Sequence, residues 1–317
     1  MSDGVHLLIP FATCSADACR EALARLPLPR LARLLARLMP DGVDGGSGES
    51  LSMPHERVLA RAFGIPAADG LIPFAAWQLL QAGHPQADAA WAWITPTHWR
   101  VGTDRVQMAL PQQLQLDAAD SQALLAAMQP YFAEDGITLE YDAPLRWLAR
   151  SEQFRALPSA SLDRVLGRDI DRWLPQGDAG RPLRRLQQEM QMLLYTLPLN
   201  DERQRGGLLP VNSFWVSGTG ALPPGRSPQP DAPVHITHYL RDAALQQDWA
   251  AWAAAWQQID ERECTRLLGE LDAGRAVRLT LCGERGAASW SSRPGGAWRR
   301  LATLFSPPSP AALLEPL

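Results

Sequence analysis

Short apolar strands alternate with amphipathic helices at both ends of the chain, and a block of strands built round one helix interrupts them. No other feature limits the fold so strongly. Strand–helix alternation predicts an α/β sheet covered by helices, whereas a strand–strand–helix–strand–strand block predicts a separate α+β module. The chain is therefore expected to form a discontinuous α/β core, residues 1–88 and 205–317, with an α+β domain inserted at 89–204. Its 317 residues, 46% of them hydrophobic, are enough for one large or two ordinary cores.

The first flank opens with Val5 to Ala12, a short apolar run ended by proline that reads as a buried strand. Ser15 is placed to cap the following helix. Pro27 and Pro29 split the next helical stretch, and Leu31, Leu34, Leu35 and Leu38 hold an apolar stripe beyond them. Asp41 to Ser52 is glycine- and serine-rich and reads as a loop. Pro54 to Phe63 reads as a helix ended by Gly64, and Leu71 to Ala82 as another.

In the middle block, Ala90–Ile94, His98–Val101, Arg105–Ala109, Ile137–Tyr141 and Leu145–Ala149 alternate as strands do. Asp117 to Phe132 places Leu124, Leu125, Met128 and Phe132 on one helical face. Ser159 to Asp178 is polar and arginine-rich. Pro182 to Leu197 repeats apolar residues at threes and fours. The stretch 197–220 then reads as a polar loop followed by an apolar strand that runs into a glycine turn.

The second flank begins with Ala221 to Pro233, a proline-rich surface loop. Val234–His238 is a short strand candidate, and Asp242 to Leu271 reads as one long helix with Trp249, Trp252, Trp256 and Ile259 along it. Val277–Cys282 is a strong strand, Trp290 and Trp298 fall in the closing sheet region, and Ser306 to Leu317 is expected to be loosely held.

A net charge of −4 supplies no basic field to attract nucleic acid or anionic lipid. Four cysteines, Cys14, Cys19, Cys264 and Cys282, show neither scaffold density nor C-x-x-C spacing, which predicts a reduced, cytoplasmic protein. Val5 to Ala12 is too short to span a bilayer, and no membrane association is expected.

Residues 197–220 carry a family resemblance. Leu197-Pro-Leu-Asn-Asp-Glu-Arg203 and Leu209-Pro-Val-Asn-Ser-Phe-Trp-Val-Ser-Gly-Thr-Gly220 are similar to a segment of the archaeal-type, cofactor-independent phosphoglycerate mutases, in which H-P-V-N-x-E-R precedes P-A-N-x-I-W-L-W-G-Q-G. Thr95-Pro-Thr-His-Trp99 parallels the insert of that family, and the likeness covers roughly Trp91 to Gly220. The chain also resembles a bacterial set described as RpfE-type regulatory proteins. The resemblance implies an alkaline-phosphatase-like core whose chemistry needs two divalent metals and a phosphoryl-accepting serine.

The ligands that chemistry requires do not appear in the matching places. The first strand ends Ile9-Pro-Phe-Ala-Thr-Cys14 without a carboxylate; downstream of His235 only Asp242 remains; the last strand ends Thr280-Leu-Cys-Gly-Glu284 without a histidine. His235 and His238, three apart on a strand, face opposite ways. Gly218-x-Gly220 lacks the remaining residues of a dinucleotide or phosphate loop.

The expectation is thus a metal-free, cofactor-free, degenerate relative that acts as a regulatory or ligand- or partner-binding protein. Arg164, Arg168, Asn200, Arg203, Asn212, Trp215 and Gly218 are candidates for a cleft holding a small anionic ligand or a protein partner, with Asp242 and Glu284 as residual core-site candidates. Two other readings stand beside it. One is an active mutase or phosphatase with a site rebuilt from Asp242, Glu284 and a nearby serine. The other is a structural interaction protein that uses its tryptophans.

Overall fold

The computed structural model describes residues 4–86, 88–223, 233–292, 310–314 and 317. The chain forms two compact units, Met1–Gly64 with Gln229–Leu317, and Ile65–Pro228. Of the sequence expectations, Trp298, residues 224–232 of the proline-rich loop and residues 306–309 and 315–316 of the tail lie outside the described residues.

The first unit is a mixed α/β layer. An interior strand, β1 (Val5–Ile9), pairs in parallel with the middle strand Val277–Cys282 on one side and with the edge strand Val234–Ile236 on the other. Ala287–Ser291 and then β2 (Met39–Asp44) extend the sheet antiparallel. Alternation along β1 explains its place: Leu7 and Ile9 enter the main core, while Leu8 enters a small cluster on the opposite face with Val58, Cys282 and Ala287. Two helices, α1 (Asp17–Arg25) and α2 (Pro29–Arg37), contribute Leu23, Leu31, Leu34 and Leu35 to the main core. The smaller cluster is met by α3 (Pro54–Ala62), which Gly64 ends at φ +64.

Several local expectations are corrected here. Met39–Asp44 is a strand and not part of a loop: Pro40, which has no N–H to donate, is tolerated because β2 is the sheet's outermost strand and the register slips beside it. Ser15 does not cap α1; Ala16 holds the N-cap position with no side-chain bond, and the Ser15 hydroxyl turns elsewhere. The expected long helix is interrupted. It consists of Arg241–Leu245, a break at Gln247 (φ +57), Trp249–Ile259, a π-helical turn at Asp260–Cys264, and Thr265–Asp272. That π turn places buried Asp260 at the start of α2, where its carboxylate accepts the N–H groups of Leu31 (2.7 Å) and Arg30 (3.3 Å). The tail is docked where it is described: Pro310–Leu314 is helical, Leu314 and Leu317 are buried, and the Leu317 carbonyl accepts from Arg285 and Gly286 N–H.

The second unit is an antiparallel sheet backed by two helices. Its strands are β3 (Trp91–Thr97), β6 (Thr138–Ala143), β7 (Arg146–Arg150) and β8 (Ser213–Gly220), in the order β6-β7-β3-β8. A separate hairpin, β4 (Trp99–Val101) and β5 (Val106–Met108), follows β3. One sheet face carries Ala92, Ile94, Phe214 and Val216 and packs against Leu124, Met128 and Phe132 of α5 (Ala118–Glu134) and Leu183, Leu186, Met190 and Leu194 of α7 (Gly177–Tyr195); the one-turn helix α6 (Leu162–Val165) lies between these two in the chain. On the other face, α4 (Phe74–Gln81) stacks Phe74 on Trp93, with ring centroids 6.3 Å apart. Residues 197–205, expected as loop, are largely helical: α8 (Pro198–Arg205) starts on a proline, which suits a helix's first turn.

Candidate functional site

The site grows from α8 and the four residues before β8. Asn200 is buried and spends its whole amide on backbone: Nδ2 donates to the carbonyls of Leu194 and Val211 (both 2.7 Å), and Oδ1 accepts from Val211 N–H at 2.9 Å. Arg203, also buried, forks over the Asp120 carboxylate (2.7 Å), the Leu209 carbonyl (3.2 Å) and the Leu114 carbonyl. Asn212 bonds both backbone groups of Trp99, its Oδ1 accepting the N–H (2.7 Å) and its Nδ2 donating to the carbonyl (2.9 Å). A rigid 209–212 segment results, and it presents His98 and Trp99.

That segment forms part of the wall of a cavity of about 950 Å³ between the β4–β5 hairpin, α7 and α8. Its volume lies at the upper end of the range of small-molecule sites, roughly 300–1,000 Å³. His98 Nδ1 donates to the Pro210 carbonyl at 2.8 Å, and burial holds the ring's pKa below its ordinary value. The ring is thus neutral, with Nε2 left as an acceptor. Opposite it, α7 lines the cavity with Gln187, Gln188 and Gln191, and α8 adds Gln204. The lining's charged groups are Asp171, Asp201 and Arg184, and the Arg184 guanidinium already donates to the Pro175 and Gly177 carbonyls.

Of the residues singled out from sequence, Asn200 and Asn212 line this cavity. Trp215 is buried elsewhere on β8 and donates its indole N–H to the Ala160 carbonyl (2.9 Å). Arg164, on α6, is fully buried with its guanidinium 5.7 Å over the Trp173 ring, and Arg168 sits in the turn that follows. Gly218 adopts φ +62 beneath Trp93, where a Cβ would come within 2.8 Å of the indole. His98, Trp99 and the α7 glutamines are lining residues that sequence reasoning does not mark as ligand-binding. Gln188 and Gln191 leave one sequence trace, their place on the polar face of an amphipathic helix, whereas Gln187 is buried and donates to the Phe214 carbonyl.

The carboxyl edge of the first unit's sheet is a second chemical centre. Glu284 Oε2 accepts both the hydroxyl (2.5 Å) and the N–H (3.1 Å) of Ser15. The Cys14 and Cys19 thiols are free of disulfides, and each acts on the other's proton affinity. That mutual influence, the largest on each, pushes Cys14 upward and draws Cys19 downward, as expected for a pair that ionises in two separate steps. Asp242 lies apart on the short helix Arg241–Leu245, where it pairs with Arg241 at 2.8 Å. Gly283 has no room for a side chain: a Cβ there would stand 2.5 Å from the Leu317 carbonyl carbon. These donors do not fit a pair of divalent metals, since among the described residues no group of three or more His, Cys, Asp or Glu side chains is placed to hold an ion. His235 reaches Glu263 at 3.8 Å.

A smaller hollow of about 460 Å³ in the same unit is lined by His6 and Ser289, among others. Here His6 Nε2, Thr280 Oγ1 and Ser289 Oγ form a buried chain with links of 2.8 Å each. Among the described residues no helix is long and apolar enough to cross a membrane.

No protein-family model and no curated protein matches the chain. Solved structures that resemble it include a cofactor-independent phosphoglycerate mutase from Thermoplasma acidophilum, which aligns at 13% identity and TM-score 0.40 over 98% of this chain and 94% of that one. The PH0037 protein from Pyrococcus horikoshii aligns at 10% identity and TM-score 0.47, over 92% and 87%.

Proposed function

We propose that this chain is a binding protein on a phosphoglycerate-mutase-like scaffold: it takes up a small ligand in the cavity of its second unit and transfers no phosphoryl group. The observation that carries the reading is the cavity itself. Three buried or half-buried anchors, Asn200, Arg203 and Asn212, fix one short segment, and that segment holds His98 as a single neutral tautomer beside a row of amides. Such pre-organised polar groups around a roomy hollow suit recognition. At the sheet edge of the first unit, the Glu284 carboxylate is engaged by Ser15, and its surroundings lack, among the described residues, the carboxylate–imidazole set that two-metal catalysis uses.

The test is direct. Purified full chain, assayed with manganese or zinc and 3-phosphoglycerate, is expected to give no 2-phosphoglycerate. Turnover abolished by a chelator sinks the reading. One observation favours the alternative of a rebuilt phosphotransferase: a serine hydroxyl 2.5 Å from a carboxylate has the geometry of a nucleophile beside its base. Turnover that vanishes in Ser15→Ala would establish it.

A further inference from the structure

The lining of the cavity selects against some ligand classes and for one. Two carboxylates, Asp171 and Asp201, face one arginine, and the donors of Arg184 are drawn to the Pro175 and Gly177 carbonyls. Neutral His98 adds no positive charge. The wall is formally anionic, so a phosphate ester entering it meets repulsion and finds no uncommitted guanidinium in the lining to replace its hydration. What the wall does offer is amide. Gln188, Gln191 and Gln204 each place a donor and an acceptor side by side, and His98 Nε2 adds an acceptor. A hydroxyl group both donates and accepts, so it satisfies an amide where an anion or an ammonium satisfies half of it. Apolar surface from Trp99, Tyr195 and Val106 completes the wall. Aromatic faces stack on the C–H face of a ring that is apolar on its flat sides and polar at its rim.

Resting on the reading of this cavity as the binding site, we propose that it takes a neutral polyhydroxylated ring compound, a carbohydrate with more than one sugar unit. The cavity volume, about 950 Å³, leaves space beyond a single ring. Amides along α7 reach the hydroxyls, Trp99 carries the ring face, and the carboxylates of Asp171 and Asp201 accept from hydroxyls that the amides leave over.

The experiment is saturation-transfer NMR on the full chain with maltose, cellobiose, lactose, sucrose and trehalose, and with 3-phosphoglycerate as the anionic comparator. Transfer to the ring protons of at least one disaccharide is expected, with none to 3-phosphoglycerate. Gln188→Ala with Gln191→Ala should weaken that disaccharide's binding roughly tenfold or more, as the loss of one or more hydrogen bonds does. Both residues are half-buried or exposed, and an unchanged melting temperature will show that the fold survives. Silence from all five disaccharides overturns the proposal, and so does binding that the glutamine variant leaves intact. Binding of 3-phosphoglycerate that Gln204→Glu abolishes defeats the carbohydrate assignment but keeps the cavity as a binding site. Metal-dependent turnover defeats the underlying reading instead.

Discussion

Trp252 donates its indole N–H to the carbonyl of Phe11 at 3.0 Å, and Phe11 is held at φ +57, a left-handed backbone that bulky residues rarely adopt. One helical turn on, Trp256 does the same for the Ala12 carbonyl at 3.2 Å. The tryptophan stripe is therefore packed core that also fixes how the chain leaves β1. Trp252→Phe keeps most of the packing and strips the buried Phe11 carbonyl of its donor. The expected loss is about 1–3 kcal/mol in urea unfolding, with the larger share in this unit. Trp249, which is half-buried and meets Trp252 through its ring, should tolerate the same change at lower cost. Equal losses for the two variants would contradict this role.

Arg203 and Asn200 make a second clamp, and they test whether the cavity depends on it. Arg203→Met leaves Asp120, Leu114 and Leu209 short of their shared donor, and a cost of about 1–3 kcal/mol is expected, since the Asp120 carboxylate left behind is partly solvated. Asn200→Asp replaces two donated bonds by a carboxylate facing the Leu194 and Val211 carbonyls, and should destabilise by a similar amount. Both variants are expected to lose ligand uptake as well, since the 209–212 segment that carries His98 is freed. A variant that unfolds no more easily than the parent would show that the clamp is not structural.

Periodic elements of this chain are legible in the sequence alone. Val5–Ile9, Val277–Cys282, the α5 stripe of Leu124, Met128 and Phe132, and the α7 stripe of Leu183, Leu186 and Met190 each bury one face at the period of their class. What escapes is set by non-local partners. Pro40 and Gly42 argue against a strand, yet an edge position beside Ala287–Ser291 tolerates them. Asn200 and Arg203 carry the polar chemistry of a ligand site and spend it on carbonyls that the fold brings to them, which no local pattern announces. Gln188 and Gln191 look like any solvated helix face until the β4–β5 hairpin and α8 place a hollow beside them. Sequence can mark a side chain as polar; which groups remain for a ligand depends on which the backbone consumes.

His6 makes stability depend on pH in a predictable direction. Burial, with Arg278 nearby, lowers its pKa from 6.5 to about 4 in the folded chain. The folded state therefore binds a proton later than the unfolded chain does. Above the unfolded value the group's contribution is complete; it is lost as the pH falls from 6.5 towards about 4, because only the unfolded chain gains the charge. The ceiling is about 3 kcal/mol, at 1.36 kcal/mol per unit. In paired urea titrations, His6→Asn should flatten this part of the profile relative to the parent. Parallel profiles would mean that His6 protonates in place without penalty.

Thr97 and Ser213 face one another across β3 and β8, both fully buried, and neither hydroxyl finds a hydrogen-bond partner among the described residues. A buried hydroxyl without a partner costs desolvation and returns nothing. Ordinarily a polar residue removed from a core leaves a mate behind, and the variant suffers for it. Here no mate is left, so Thr97→Val, nearly the same shape, is expected to be neutral or to stabilise by up to about 1 kcal/mol, and Ser213→Ala to be neutral. The double variant should be close to additive, since neither hydroxyl bonds the other. Chemical denaturation of the two single variants and the double variant checks this. A loss of more than about 1 kcal/mol on Thr97→Val would reveal an acceptor or an ordered water bound to that hydroxyl.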